Sequence, residues 1–120
     1  MDSDRRHAAV VALVELGRSQ RYRDRADAGH GLAGFAEERE ARRPLLELVL
    51  DRGATFVTRV TAEAVLRGRD RIGLAIVASA LVVADWSHSD RSPRTARYTS
   101  DTIITTAFQA IDPQVPRLQR

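Results

Sequence analysis

Cysteine and lysine are both absent from the 120-residue sequence. Without cysteine, the chain has no disulfide and no thiolate-bound metal. All 19 basic residues are therefore arginines, and 16 Asp and Glu residues reduce the formal net charge to +3. The pI is nevertheless about 10.5, because only two tyrosines titrate between neutral pH and the arginine range. The chain is thus mildly basic and does not have the charge excess of a polycation.

Aromatic residues and long apolar runs are also scarce. Only 5% of the residues are Phe, Trp or Tyr, so we expect a core built from Ala, Val, Leu and Ile. The longest apolar stretch, Ile72 to Ala84, is interrupted by Gly73 and Ser79 and is shorter than the roughly 20 residues of a membrane span. The N-terminal segment is acidic first and lacks the pattern of a signal peptide. These features predict a cytoplasmic protein with no membrane partner.

Apolar residues recur with the period of an α-helix in six segments separated by polar turns. The predicted helices span Asp2 or Ser3 to Leu16, Tyr22 to Ala36, Ala41 to Asp51, Thr55 to Arg67, Arg71 to Ala84, and Ser92 or Ser100 to Ile111. Asp2 or Ser3 is expected to cap the first helix and Asp70 the fifth, and Gly17 and Gly68 are expected to end the first and fourth helices. Pro44 is expected in the opening turn of the third, where its missing N–H costs little. The fifth segment is apolar on most sides, which predicts the most buried helix.

Self-similarity at an offset of 34 residues is the most informative feature of the sequence. The matched pairs are Arg18 with Arg52, Tyr22 with Phe56, Arg25 with Arg59, Ala28 with Ala62, and Leu32 with Leu66. The third and fifth helices are therefore expected to be equivalent members of successive helix pairs, since four further positions correspond at this offset: Leu46 with Ala80, Leu48 with Val82, Val49 with Val83, and Asp51 with Asp85. Such pairs bury their apolar surface only by stacking on one another. We therefore expect an all-α domain over residues 1–112, a short α-solenoid of about three hairpins, and a flexible tail at 113–120.

Two segments resemble the HEAT and armadillo-like helical repeat proteins. Val57 to Asp70 is similar to a first HEAT helix and its turn, and Arg42 to Asp51 is similar to a second helix with an early proline, Pro44. With Arg23 to Glu38, the resemblance covers about residues 20–85. It implies HEAT-like hairpins that bind proteins, or sometimes nucleic acids, across a concave face. It implies no catalytic residue.

A glycine-rich segment matches the G-x-G-x-x-G pattern of dinucleotide-binding sites through Gly29, Gly31 and Gly34. Such a site requires a buried apolar strand directly before the first glycine. The preceding residues 21–28 are rich in Arg and Asp and cannot form that strand. We expect these glycines to let two helices approach closely, at some cost in helix stability, and we predict no cofactor.

Asp85, His88 and Asp90 place three potential metal ligands within six residues, with Trp86 between them. Ligands are scarce elsewhere, and a Ser-rich loop over residues 85–91 does not by itself create a metal geometry. We therefore predict a solvated loop with no metal. Trp86 is predicted to pack beneath this loop or, if exposed, to anchor an interface.

No group of residues has the pattern of catalytic machinery. His7 and His30 lie in separate predicted helices, and neither has a neighbouring Ser or Cys nucleophile motif. Carboxylates alternate with arginines in one segment, which is typical of a solvated helix surface with salt bridges: Glu37, Glu38, Arg39, Glu40, Arg42 and Arg43. We therefore predict that the protein is not an enzyme.

The arginines form four clusters near the predicted turns, where they would lie along one or both edges of the solenoid: residues 18–25, 39–43, 67–71 and 91–97. The candidate partner-binding residues are Arg18, Arg21, Arg23, Arg25, Arg67, Arg69, Arg71 and Trp86. Interspersed Asp residues partly neutralise the positive charge of this edge. The predicted function is that of a non-catalytic adaptor or scaffold that binds another protein or self-associates through its end helices. The alternative is a nucleic-acid-binding solenoid that uses the arginines.

Overall fold

The computed structural model describes residues 2–51, 53–68, 71–87 and 102–106, without the side chains of 85–87. The helices are α1 (Ser3–Leu16), α2 (Tyr22–Ala33), α3 (Arg39–Val49), α4 (Thr55–Arg67) and α5 (Arg71–Ser87), and residues 102–106 are also helical. No strand occurs in these ranges, so the predicted all-α class is confirmed. Across the same residues, no helix combines the length and the apolar character that crossing a bilayer requires.

Local signals determine the ends of α1 and α4 as predicted. Asp2 is the N-cap of α1, and its carboxylate accepts hydrogen bonds from the backbone N–H groups of Asp4 at 2.7 Å and Arg5 at 3.3 Å. Gly17 and Gly68 directly follow the last residues of α1 and α4. Because glycine destabilises a helix interior, both helices end there.

The boundaries of α2 and α3 differ from the prediction. α2 ends at Ala33 instead of Ala36, and a tight turn follows in which the N–H of Phe35 donates to the Leu32 carbonyl at 2.8 Å. α3 begins at Arg39, so Pro44 lies inside the helix and not in its opening turn. A proline there removes one backbone hydrogen bond. The helix persists because its apolar face is buried against its neighbours.

α5 is longer and more exposed than predicted. It continues to Ser87, so residues 85–87 are helical where a loop was expected. Ile76 and Val77 are buried, but Leu74 and Val82 are exposed. The prediction that α5 is the most buried helix is therefore not confirmed, because among residues 71–84 five are buried and seven are exposed. α4, by contrast, has six buried residues.

Helices that the 34-residue offset relates are neighbours in space. α2 and α4 make the most extensive helix–helix contact in the described part of the chain, and α3 and α5 also pack together. α1 packs mainly against α2, while α3 and α4 contact each other. The core is aliphatic, as predicted, and its largest fully buried apolar side chains are Val10, Leu32, Leu45, Val49, Val57 and Ile103.

Two glycines of α2 allow close approach to the helices on either side. A Cβ atom placed on Gly29 would lie 2.0 Å from Oγ1 of Thr61 in α4. A Cβ atom on Gly31 would lie 2.8 Å from Cδ2 of Leu13 in α1. Both distances are shorter than the contacts that real Cβ atoms make, so a side chain at either position would displace its neighbour. The prediction that the glycines let helices approach closely is therefore confirmed for Gly29 and Gly31 but not for Gly34, whose nearest obstacle is the Gly31 carbonyl of its own helix.

Three sequence predictions fall mostly or wholly outside the described residues. Of the sixth predicted helix, only residues 102–106 are described; they are helical, and Ile103 is buried. The proposed Asp70 cap and the tail at 113–120 lie outside the described ranges.

Candidate functional site

Arg25 is held inside the protein by Asp51. Its Nε lies 2.6 Å from Asp51 Oδ2, and its Nη2 lies 3.4 Å from Oδ1. Its Nη1 donates to the carbonyl oxygens of Ser19 at 3.0 Å and Gln20 at 2.9 Å. The Arg25 and Asp51 side chains are only 17% and 8% exposed. Through these contacts Arg25 joins the α1–α2 turn to the α3–α4 turn, and a role for Arg25 in partner binding stays a prediction.

Asp51 also organises the start of α4. Its Oδ1 accepts hydrogen bonds from the backbone N–H groups of Gly53 and Ala54, both at 2.9 Å. Its carbonyl accepts a hydrogen bond at 3.4 Å from the hydroxyl of Thr58, which is buried. One residue thus binds a guanidinium, two backbone amides and a hydroxyl of the same chain, and these contacts give it a structural role.

The other described arginines of the predicted set reach solvent. The exposed members are Arg18, Arg21, Arg23, Arg67 and Arg71. Arg18 pairs with Glu15 of its own turn at 3.0 Å. Arg23 donates through Nε to the Tyr22 hydroxyl at 3.3 Å, and this hydrogen bond raises the pKa of Arg23. This hydrogen bond therefore favours the charged form of the Arg23 side chain.

Tyr22 and Phe56 form an aromatic pair between α2 and α4. Their ring centroids are 5.8 Å apart and their planes are perpendicular, which is the edge-to-face arrangement that aromatic rings favour. The guanidinium of Arg23 lies 5.9 Å from the Tyr22 centroid, and that of Arg59 lies 5.5 Å from the Phe56 centroid. Residues related by the 34-residue offset thus touch each other, each beside its own arginine.

Glu37 and Glu38 form ion pairs with Arg6 of α1. The sequence analysis instead predicts that they pair with the arginines of their own segment. Arg6 Nε lies 2.8 Å from Glu38 Oε1, and its Nη2 contacts the Glu37 carboxylate. These hydrogen bonds, first that to Glu38 and then that to Glu37, raise the pKa of Arg6. The same guanidinium lies 5.5 Å from the Phe35 ring centroid. Part of the predicted solvated surface therefore fastens α1 to the α2–α3 turn.

A groove of about 510 Å³ lies between α3 and α5. Its lining residues are Arg42, Arg43 and Leu46 of α3, with Arg71, Ile72, Ala75, Ile76 and Ser79 of α5. We call this surface the α3–α5 groove. Aliphatic side chains form its floor, three arginines lie along it, and no carboxylate is among the lining residues.

Each groove arginine has a different environment. Arg42 donates through Nε to the Ala36 carbonyl at 3.4 Å and through Nη2 to the Glu37 carbonyl at 3.3 Å. Arg43 is 89% exposed, and its Nε lies 3.5 Å from Glu47 Oε1. Arg71 is exposed at the first residue of α5. The groove therefore complements an apolar surface that is flanked by negative charge.

The predicted partner-binding set includes Arg71, and the sequence also places Arg42 and Arg43 in an arginine cluster, but it does not indicate the aliphatic floor of the groove. A signal was present, because Ile72, Ala75, Ile76 and Ser79 recur at helical spacing and the repeat predicted that the third and fifth helices are equivalent. Helical spacing does not show whether an apolar face is covered, and only the structure shows that the described residues leave this face of α5 open. Buried and unoccupied apolar stripes have the same sequence pattern.

The remaining candidates of the sequence analysis are placed as follows. His7 and His30 are exposed on α1 and α2. Arg69, His88 and Asp90 lie outside the described residues, as do the side chains of Asp85 and Trp86, so an interface role for Trp86 stays a prediction. In the ranges that are described, no three His, Asp or Glu side chains are grouped so as to hold a metal ion.

Comparisons of the chain with protein-family models, with curated proteins and with solved structures found no match. Its own geometry is therefore the basis for a functional proposal.

Proposed function

We propose that the chain is a short HEAT-like α-solenoid that acts as a non-catalytic adaptor and binds another protein. In a stack of helical pairs, each helix packs against its equivalent in the next pair. The contacts of α2 with α4 and of α3 with α5 support this arrangement, as does the packing of Tyr22 against Phe56. Such stacks present extended binding surfaces built from side chains of successive helices.

The α3–α5 groove is the observation that carries the proposal of protein binding. It combines an apolar floor with exposed charge, and it lies between two helices that the repeat relates. Leu46, Ile72 and Ile76 supply aliphatic surface, while arginine is among the residue types enriched at protein interfaces. A groove of this composition gains binding energy from burial of its floor and specificity from its charged rim.

Affinity capture from the native cell, with and without nuclease, tests this function. Ala75 lines the groove and is exposed, so Ala75→Glu introduces a charge there without altering the core. Ala78 is exposed on the same helix outside the groove lining, so Ala78→Glu is a matched control. We expect proteins that the wild type and Ala78→Glu retain, Ala75→Glu loses, and nuclease does not release. Equal retention by all three chains would contradict a role for the groove.

A second candidate function is nucleic-acid binding along the arginine edge. Arg21 and Arg23 are exposed beside the partly exposed rings of Tyr22 and Phe56, and single-stranded nucleic acids bind surfaces that combine cations with aromatic rings. This function predicts an affinity for oligonucleotides that falls steeply with salt and is lost when Arg21 and Arg23 become Gln. Binding that is absent at low salt, or unaffected by these substitutions, excludes it.

A further inference from the structure

The lining of the α3–α5 groove restricts the form of the segment that fills it. Both walls are helices, and apart from the break at Pro44 and the first turn of α5 their backbone N–H and C=O groups are bonded within each helix. An extended peptide that adds to a sheet edge gains main-chain hydrogen bonds, and these walls cannot supply them. A helical segment satisfies its own backbone and presents apolar side chains at positions i, i+3, i+4 and i+7. The groove is therefore suited to a helix.

The dimensions of the groove agree with such an occupant. Its α5 wall runs from Arg71 to Ser79, which is about 12 Å at 1.5 Å per residue. About two turns of a partner helix match this length, and two turns carry one i to i+7 set of apolar side chains. Leu46 on one side and Ile72 and Ile76 on the other form the apolar floor on which that set would pack.

The arginines of the groove favour a bound segment with negatively charged side chains beside its apolar face. Arg42 and Arg43 lie along the α3 wall and Arg71 at one end of the α5 wall, with no carboxylate among the lining residues. Arg71 is also the first residue of α5, where the positive end of the helix dipole disfavours a cation. A negatively charged partner relieves this repulsion. A basic segment would meet three like charges.

We propose that the α3–α5 groove binds an acidic amphipathic helix of a partner protein. The aliphatic face of this helix packs on Leu46, Ile72 and Ile76, and its Asp or Glu side chains lie opposite Arg42, Arg43 and Arg71. The inference rests on the proposed protein-binding function and specifies the chemistry of the partner.

Fluorescence anisotropy with three labelled peptides tests the proposal on the full chain. The first peptide is helical, with leucines at i, i+3, i+4 and i+7 and glutamates on both flanks. In the second peptide, lysines replace the glutamates. The third has the composition of the first in a scrambled order without an apolar stripe. We expect binding of the first peptide only, and weaker binding as the salt concentration rises.

Protein variants locate the site. Ala75→Glu and the double variant Arg43→Glu/Arg71→Glu should each weaken binding of the acidic peptide by about tenfold or more. The first places a negative charge in the apolar groove, and the second replaces two positive charges along it with negative ones. Ala78→Glu and Arg5→Glu change exposed residues outside the lining and should bind as the wild type does. The charge-inverted double variant should gain affinity for the lysine peptide. Circular dichroism spectra that match the wild type establish that the variants remain helical.

Three results would overturn the proposal: equal binding of the scrambled peptide, preference for the lysine peptide, or wild-type affinity in Ala75→Glu. Light scattering that shows a dimer lost in Ala75→Glu would assign the groove to a second copy of the chain instead. If cellular proteins are lost from Ala75→Glu while no acidic peptide binds, the adaptor function stands and the acidic-helix inference fails. If acidic peptides bind but no cellular protein depends on the groove, the adaptor function fails.

Discussion

Gly29 of α2 lies directly against Thr61 of α4, so closely that a Cβ atom on Gly29 would come within 2.0 Å of the threonine Oγ1. This contact lies in the most extensive helix–helix interface of the described chain. Thr61 is fully buried, and its Oγ1 has no hydrogen-bond partner among the described residues. One small residue and one buried hydroxyl thus meet in the contact between α2 and α4.

Gly29→Ala should lower the free energy of unfolding by about 2 kcal/mol. The added methyl group overpacks the α2–α4 interface, and alanine's better helix propensity offsets only part of that cost. Urea denaturation followed by circular dichroism measures the change. Gly34→Ala is the control, because its nearest obstacle is the Gly31 carbonyl at 3.4 Å. The control should be neutral or stabilising by up to about 1 kcal/mol, and a similar loss in both variants would contradict the close contact.

Thr61→Val should raise the free energy of unfolding by about 1 kcal/mol. The substitution keeps the shape of the side chain and removes a buried hydroxyl that has no described partner. Thr58→Val is the matched control, because Thr58 is equally buried in the same helix but donates a hydrogen bond to the Asp51 carbonyl. The control should lose stability. Urea denaturation of both variants measures the two changes in the free energy of unfolding. A loss of stability in Thr61→Val would show that the Thr61 hydroxyl is hydrogen-bonded.

Arg25→Met should lower the free energy of unfolding by about 3 kcal/mol. It leaves the Asp51 carboxylate nearly buried without its cation, and it also removes two hydrogen bonds to turn carbonyls. Arg18→Met breaks the exposed pair with Glu15 and should cost less than about 0.5 kcal/mol. Thermal or urea unfolding of the two variants checks the difference. Equal effects would refute the inward placement of Arg25.

Tyr22 and Phe56 should be energetically coupled by about 1 kcal/mol, as expected for an edge-to-face aromatic pair. A double-mutant cycle with Tyr22→Leu and Phe56→Leu measures this coupling. Tyr22→Leu combined with Phe35→Leu is the control, since Phe35 follows the opposite end of α2 and packs beside Arg6. That pair should be additive. Additivity in both cycles would argue against contact between the repeat-related rings.

Local patterns were sufficient to predict much of the helical structure. The period of apolar residues, the Asp2 cap and the glycines after α1 and α4 act within one or two turns of chain, so they can be read without knowledge of the fold. Pro44 was misplaced because tertiary packing of α3 overrides the helix-breaking tendency of a single proline. The extent of burial of α5 was misjudged because composition does not reveal which side of a helix is covered.

The roles of the arginines depended on tertiary structure. Arg18, Arg23 and Arg25 form one cluster in the sequence, yet only Arg25 meets a carboxylate from a distant turn, that of Asp51. Arg6 of α1 likewise pairs with Glu37 and Glu38 of the α2–α3 turn. Sequence spacing predicts neighbours on one helix, whereas these partners come together only after the helices pack.

The sequence alone determined that this chain is helical, where several of its helices begin and end, and which helices the 34-residue offset relates. These properties follow from local backbone preferences and from the periodic placement of apolar residues. Packing decided that Arg25 points inward and that Arg42, Arg43 and Arg71 lie along a shared groove. The physical reason is that the fate of a charged side chain depends on which groups lie within a few ångströms of it, and that is set by how the helices assemble.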